Sequence, residues 1–273
     1  MKFLLSFKRR LQASSVLSNS LLLLACLLAS GGLSMLMGQD ASIDLLNYHL
    51  YNPFSLLNGR WGTDLIPAGM HSFFNPILDV PYYVLLHGLN DFPHLTAFIQ
   101  GWGYGLFLFF AWKICALLWP GFSSAQEKLI RLSAFILSVT GTAALSQVGL
   151  SSNETPLAAG AACVLWLLLK QYMSAGSSMG WLCASFLTGA LFGLKYTFGP
   201  TAVGLGAVGL YIWFHTGRKA KLFWGALAGG IAGFMLSNGW FFFRAWHETG
   251  NPLFPYFNAI FGSALFDSIN LAN

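Results

Sequence analysis

Long apolar runs separated by short polar stretches make up most of this chain. A helix needs about 20 mostly apolar residues to cross the hydrocarbon core of a bilayer, and its backbone polar groups must be hydrogen-bonded within the segment. Seven segments meet these requirements and are predicted to be spanning helices: 16–37, 95–119, 129–150, 156–172, 180–195, 199–215 and 222–243. The pattern therefore predicts an all-α polytopic transmembrane bundle that forms one domain over residues 1–273.

The composition supports a membrane protein and excludes an ordinary soluble domain. Of the 273 residues, 56% are hydrophobic and only 8% are charged, whereas about 25% charged residues is usual in soluble proteins. The net charge of +5 comes from basic residues spread along the chain, so their placement is more informative than their sum. We expect membrane lipids as partners and no nucleic acid.

The segment 75–90 decides on which side of the membrane each later loop lies. It is short and is interrupted by Asp79 and Pro81. If it does not cross, eleven of the fourteen Lys and Arg residues lie on the cytoplasmic side, as the positive-inside rule requires. This arrangement is favoured, with a cytoplasmic N-terminus, an outer loop at about 38–94 and an outer C-terminal segment at about 245–273.

Polar chemistry then gathers on the outer face. Eight of the nine carboxylates lie there, together with three cations that the positive-inside rule disfavours: Arg60, Lys195 and Arg244. A phosphate-binding site would explain these cations, because guanidinium and ammonium groups pair with phosphate oxygens. For Lys195 and Arg244 the alternative is an anchoring role at the membrane surface.

Two acids directly follow the first span. Asp40 and Asp44 are four residues apart, so an outward continuation of that helix would place both on one face. Either acid can simply mark the end of the span, but Asp44 is followed by Asn47 and His49 and is the stronger candidate for a proton acceptor. Asp40, Asp44 and Asp64 could also bind a divalent ion. No histidine pair has zinc-ligand spacing, so no metal or other cofactor is predicted.

The outer loop is long enough to contain helices of its own. Residues 45–57 have the spread of apolar positions of an interfacial helix, with Leu45, Tyr48 and Leu56 expected to face lipid. Small residues within 203–210 and 225–234 predict close helix contacts. Glu154 predicts the start of a helix.

Three stretches carry a resemblance to a known family: 44-DLLNYHLYNPFSLLNGR-60, 75-NPILDVPYY-83 and 249-TGNPLFPYFNAIF-261. They resemble membrane glycosyltransferases of the GT-C fold, which include protein mannosyltransferases and the aminoarabinose transferase of lipid A. The first two are more closely similar to uncharacterised bacterial membrane proteins assigned to that fold. The resemblance implies a polyprenyl-phosphate sugar donor and a base just after the first span, which is Asp44 with Asp40 as the competing position. It also implies that the outer loop and the late segment shape the donor and acceptor pockets.

The expected function is an inverting glycosyl transfer at the outer face of a bacterial inner membrane, with Asp44 as the general base. The acceptor is a hydroxyl of a lipid, a glycan or a protein. Three polar residues are expected to position the sugar or the acceptor: Asn47, His49 and Asp64. The outer cations Arg60, Lys195 and Arg244 are expected to bind the phosphate.

Two other classes of function remain open from the sequence. The chain ends without the further spans that many such enzymes have, so it could be a truncated module, half of a two-chain assembly or a non-catalytic subunit. A lipid or solute transporter is the other alternative, although charges within the spans, which are typical of transporters, are nearly absent.

Overall fold

A computed structural model describes residues 2–60, 63–64, 66–119, 124–173, 177–217 and 220–263, with side chains from residue 17 onward. Within these residues the structure is helical and contains no strand, which confirms the all-α prediction. The α-helices are α1 (Lys2–Met37), α2 (Tyr51–Leu57), α3 (Val80–Gly88), α4 (Pro93–Gln100), α5 (Trp102–Leu118), α6 (Ala125–Val139), α7 (Thr142–Ser146), α8 (Glu154–Met173), α9 (Ser178–Leu194), α10 (Gly199–His215), α11 (Ala220–Thr249) and α12 (Asn258–Phe261). A π-helix (Leu45–His49) and three 3-10 helices (Gly69–Phe73, Pro76–Leu78 and Tyr196–Phe198) complete the set.

Five helical segments of the described chain are long and apolar enough to cross a membrane: Leu17–Met37, Pro93–Leu118, Glu154–Met173, Tyr196–His215 and Ala220–Thr249. Each coincides with a predicted span. A further apolar helix, α9, has 17 residues, which is near the lower limit for crossing. The length and composition of these helices are those of membrane-spanning segments, and the count of seven stays a prediction.

The predicted span 129–150 is not a single helix. Helix α6 begins with a capping box between Ser124 and Glu127 and ends at Val139. The backbone becomes extended at Gly141, and α7 then covers only five residues. Neither piece reaches the length that the sequence pattern suggested.

The ambiguous segment 75–90 forms a short 3-10 helix followed by α3. Because α3 has nine residues, it is about 14 Å long, less than half of the roughly 30 Å hydrocarbon core. Its length agrees with the arrangement in which this segment does not cross.

The described residues form two compact units. Unit 1 takes its residues from 1–39, 89–150 and 154–159, and unit 2 from 40–88, 151–153 and 160–273. In unit 1, α1 packs against α4 and α5, and Ser34 Oγ donates a hydrogen bond to the Ala97 carbonyl oxygen at 2.6 Å. Gly105 lets the helices approach, since a Cβ there would lie 2.5 Å from Ser30 Oγ.

Helices α9 and α11 form the central pair of unit 2. They run parallel, because Gly229 approaches Leu182 and Ser185 near the start of α9, while Ser237 and Asn238 approach Gly193 at its end. The close contact predicted for 225–234 is confirmed, since a Cβ at Gly233 would lie 2.0 Å from the Phe186 carbonyl oxygen.

The close contact predicted for 203–210 in α10 is wrong for two of its glycines. Gly204 and Gly206 have no described atom within 4 Å of an added Cβ. Gly204 and Gly206 therefore border open space, whereas a Cβ at Gly209 would lie 3.8 Å from the side chains of Leu168 and Trp181.

Candidate functional site in unit 2

Asp40 is a buried structural connector. Its side chain is 7% exposed, and its carboxylate accepts hydrogen bonds from Ser151 N (2.8 Å), Ser151 Oγ (2.6 Å) and Ser42 N (2.8 Å). Burial alone would raise the pKa of Asp40, but the hydrogen bonds from Ser151 and Ser42 outweigh it and lower the pKa. The carboxylate thus joins the start of the outer loop to residues 151–153.

Asp44 lies in a different environment from Asp40. Helix α1 ends at Met37, and Gly38 follows with a φ of +90°, so the two acids are not on one helix face and that expectation is wrong. Asp44 is exposed just before the π-helix and makes no capping hydrogen bond. Asn47 is exposed as well.

The predicted helix at 45–57 forms in two pieces, a π-helix and α2. The π-helical bond joins Leu50 N to the Leu45 carbonyl oxygen at 3.2 Å, a rare geometry that often marks functional sites. Leu45 and Tyr48 are buried within the protein and do not face lipid, contrary to expectation. The adjacent His49 is buried too, with 3% exposure.

Asn75 fastens the long loop that follows α1 to the central helix pair of unit 2. Its Nδ2 donates to the carbonyl oxygens of Gly193 (3.0 Å) and Ser237 (2.8 Å), and it lies 3.3 Å from Asn238 Oδ1. Its Oδ1 accepts from Ile77 N and begins the 3-10 helix that leads to Asp79. One side chain therefore positions the loop and the residues that follow it.

A polar cavity lies between this loop and the helix pair. It encloses about 620 Å³ of empty space, part of it open to solvent. The outer loop, residues 152–153, the ends of α9 and α11 and the late segment all contribute to its wall. Tyr48, Phe74 and Tyr256 are among the aromatic side chains that line it.

One wall of the cavity holds a buried carboxylate and imidazole. His49 Nδ1 lies 2.8 Å from Asp79 Oδ1, and Asn153 Nδ2 donates to the same oxygen at 2.5 Å. Because that oxygen accepts from Asn153, His49 Nδ1 is assigned as a second donor. Among the described residues nothing hydrogen-bonds to His49 Nε2, although this atom is buried.

Lys195 brings a positive charge to the cavity. It follows the last residue of α9, and its Nζ donates to the Ser152 carbonyl oxygen at 2.8 Å. Burial raises the pKa of Asp79, and His49, Asn153 and the charge of Lys195 oppose that shift. The cavity therefore combines a cation with a hydrogen-bonded carboxylate and imidazole.

The other predicted outer cations lie outside this cavity. Arg60 pairs with Asp64 through Nη2–Oδ1 (2.5 Å) and Nε–Oδ2 (2.8 Å), and the Tyr51 hydroxyl donates to Asp64. The bonds from Arg60 and Tyr51 lower the pKa of Asp64. Arg244 Nε lies 2.8 Å from a Glu248 carboxylate oxygen. None of these side chains lines the cavity.

The residues that hold His49 were not predicted from the sequence. Asp79 appeared only as an interruption of an apolar segment, and Asn153 and Asn75 were not singled out. Asp79 itself was a signal, because it is an ionisable residue within an apolar stretch. Burial of such a residue is costly unless other residues hydrogen-bond to it. The partners themselves are 30 and 74 residues from Asp79 along the chain.

A second, apolar cavity adjoins the polar one along the same helices. It comprises about 1730 Å³ of empty space, part of it open to solvent, and is lined by residues of α8, α9, α10 and α11. Among the described lining residues, Ser185 and Thr188 are the ones with hydroxyl side chains. On α9 its lining ends at Phe192 and that of the polar cavity begins at Gly193. On α11 the apolar lining ends at Met235 and the polar one begins at Asn238.

The described residues contain no group of three or more His, Cys, Asp or Glu side chains placed to hold a metal ion. Comparison with known protein families, curated proteins and solved structures finds no match for this chain.

Proposed function

We propose that this protein is a membrane glycosyltransferase that moves a sugar from a polyprenyl-phosphate donor to an acceptor hydroxyl. The observation that carries the proposal is the succession of an apolar and a polar cavity along α9 and α11. We place the reaction at the outer face of a bacterial inner membrane, in a GT-C-like bundle of about seven spans.

The parts of a lipid-linked sugar match the two cavities in order, from an apolar part to a polar part. Its chain is apolar, its phosphate is anionic, and its sugar carries hydroxyl groups above flat apolar faces. The apolar cavity offers a place for the chain between helices of membrane-spanning length. Lys195 lies in the neighbouring polar cavity, where an ammonium can pair with the phosphate.

The polar cavity also suits the sugar. Ligand sites typically combine aromatic walls with a few well-placed polar groups, and this cavity has Tyr48, Phe74 and Tyr256 beside Asn75 and Asp79. Lys195 would stabilise the negative charge that develops on the leaving phosphate. Attack by the acceptor oxygen from the opposite side would invert the anomeric carbon.

The predicted residues differ in how they support this proposal. His49 and Lys195 line the polar cavity, whereas the candidate bases Asp44 and Asp40 do not. Asn47, Arg60, Asp64 and Arg244 also lie away from it. Their proposed roles in acceptor or phosphate binding therefore stay predictions.

The test is mass spectrometry of envelope glycolipids and glycans from cells that lack this protein. Complementation uses the full-length chain, Lys195→Met or the control Lys170→Met. Lys170 lies in α8 with its ammonium 4.6 Å from the Trp166 ring and lines neither cavity. We expect a sugar mass to be missing, and to be restored by wild type and by the control but at least tenfold less by Lys195→Met.

Release of free polyprenyl phosphate in membrane vesicles separates a transferase from its rivals. A transferase liberates this product when the sugar is transferred, whereas a lipid transporter does not. An unchanged set of sugar masses in the deletion strain would contradict the proposal. Full restoration by Lys195→Met would remove Lys195 from the reaction.

A further inference from the structure

We infer that His49 Nε2 accepts the proton of the attacking hydroxyl, with Asp79 and Asn153 as the residues that position the imidazole. This inference rests on the proposed glycosyl transfer. It assigns the base to a residue 30 positions before its buried carboxylate partner. The acids near the first span are thereby replaced in this role, both the buried Asp40 and the exposed Asp44.

The hydrogen bonds around Asp79 define which nitrogen of His49 is available. Asp79 Oδ1 accepts from Asn153 Nδ2 at 2.5 Å and from His49 Nδ1 at 2.8 Å. In the neutral ring the proton then resides on Nδ1, and Nε2 carries the lone pair. This is the arrangement in which a carboxylate orients an imidazole that acts as a general base.

The unmet hydrogen-bonding capacity of Nε2 points to a ligand group. His49 is 3% exposed, and a buried polar atom without a partner costs about 1–3 kcal/mol. No described side chain or backbone group meets this need. His49 lines the polar cavity that Lys195 shares, so a hydroxyl-bearing ligand in that cavity is the available partner.

The fold holds the ring in one orientation. His49 ends the π-helix, and its ring lies 4.1 Å from that of Tyr48, which in turn stacks on His71 at 4.8 Å. Asp79 follows a 3-10 helix that Asn75 caps. Precise placement of this kind is what a proton acceptor requires, because proton transfer depends on hydrogen-bond geometry.

The step balances with groups already named. The acceptor oxygen forms a bond to the anomeric carbon while its proton passes to His49 Nε2. The bond between the anomeric carbon and the phosphate oxygen breaks, and its electron pair stays with the polyprenyl phosphate beside Lys195. The imidazolium is stabilised by Asp79 and returns its proton to solvent before the next turnover.

Several titratable groups line the same cavity as His49 and will contribute to any pH profile. Within the described residues they are Asp79 and Lys195, with the tyrosines Tyr48, Tyr196 and Tyr256 on the cavity wall. A direct readout of the ring nitrogens is therefore preferable to a rate profile alone.

The first measurement is 15N NMR of the histidine-labelled full-length protein in lipid nanodiscs at pH 7.5, with His49→Gln used to assign the signal. We expect a protonated Nδ1 and an unprotonated Nε2, and loss of this tautomer in Asp79→Asn. A proton on Nε2 in the wild-type protein would overturn the inference. This readout does not depend on any transfer activity.

The second measurement is chemical rescue in membrane vesicles of the deletion strain. His49→Ala is expected to lower release of polyprenyl phosphate at least a hundredfold, and added imidazole to recover part of it in a way that follows the basicity of substituted imidazoles. His87→Ala serves as the control, because His87 is exposed on α3, has its Nδ1 2.9 Å from the Tyr83 carbonyl oxygen and does not line the cavity.

The outcomes separate this inference from the proposed function. If the deletion strain loses no sugar and releases normal polyprenyl phosphate, the proposed function fails. A second outcome is that transfer occurs, that Asp44→Asn abolishes it and that His49→Ala retains it. In that case the proposed transferase function stands and the role of His49 as base is refuted. Loss in His49→Ala without imidazole rescue, at an unchanged melting temperature, also counts against a base.

Discussion

Replacement of Asn75 by alanine should detach the outer loop from the central helix pair. The change removes two N–H donors that now satisfy the carbonyl oxygens of Gly193 and Ser237 at 3.0 and 2.8 Å. Each of these two hydrogen bonds contributes about 0.5–1.5 kcal/mol, and loss of the cap from Asn75 Oδ1 to Ile77 N costs about 0.5–2 kcal/mol. We therefore expect the free energy of unfolding to fall by about 2–4 kcal/mol.

The matched control is Asn58→Ala. Asn58 Nδ2 also donates to a backbone carbonyl oxygen, that of Phe54 at 2.9 Å, but this bond is exposed and lies within one helical turn. Water can replace it, so the expected change is within about 0.5 kcal/mol. Both variants lose an asparagine side chain, so a difference between their melting temperatures reports where the lost hydrogen bonds lie in the protein.

The assay is thermal unfolding of the full-length protein in detergent, followed by tryptophan fluorescence. A loss of 2–4 kcal/mol should lower the melting temperature by roughly 5–15 °C. Trypsin cleavage after Arg60 should also be faster in Asn75→Ala, because the loop is released before the helices unfold. Equal melting temperatures for the Asn75 and Asn58 variants would refute the assignment of Asn75 as the fastener.

Two further predictions concern helix packing and acid stability. Gly233→Ala places a Cβ 2.0 Å from a backbone oxygen of α9 and should destabilise the protein by about 1–3 kcal/mol or more. Gly206→Ala adds a Cβ in open space and should be neutral or stabilising by up to about 1 kcal/mol. Equal melting temperatures for the two variants would contradict the packing of α9 against α11. Because the pKa of Asp40 is lowered in the folded protein, its carboxylate stabilises the fold at pH values above the ordinary pKa of 3.8. This stabilisation is lost as the pH falls through the lowered pKa. Asp40→Asn should therefore flatten the decline of melting temperature below about pH 4, and an unchanged decline would exclude this carboxyl as its source.

The residues that the sequence identified correctly are those whose signal is local. Apolar runs of sufficient length predicted five segments that the structure confirms as helices of spanning length, because hydrocarbon exposure and backbone hydrogen bonding act on each segment separately. Glu154 was expected to begin a helix and does so. The predicted span 129–150 is wrong as a single helix, because the extended backbone at Gly141 divides the segment.

The polar cavity depends on contacts between distant parts of the chain. Asp79 meets His49 across 30 residues and Asn153 across 74, and Asn75 reaches Ser237 across 162. No periodicity in the sequence encodes such pairs. The sequence could place His49 and Lys195 among candidate residues by their type, but it could not distinguish them from Arg60 or Asp44.

Hydropathy and charge by themselves predicted an all-helical chain with helices of membrane-spanning length and with polar residues gathered in its first long loop. The tertiary structure decided which of those polar groups are buried together. The physical reason is that burial of Asp79 and His49 is tolerable only when partners from several segments meet their hydrogen-bonding needs. Exposed groups such as Asp44 need no such partners, so their positions follow the local chain alone.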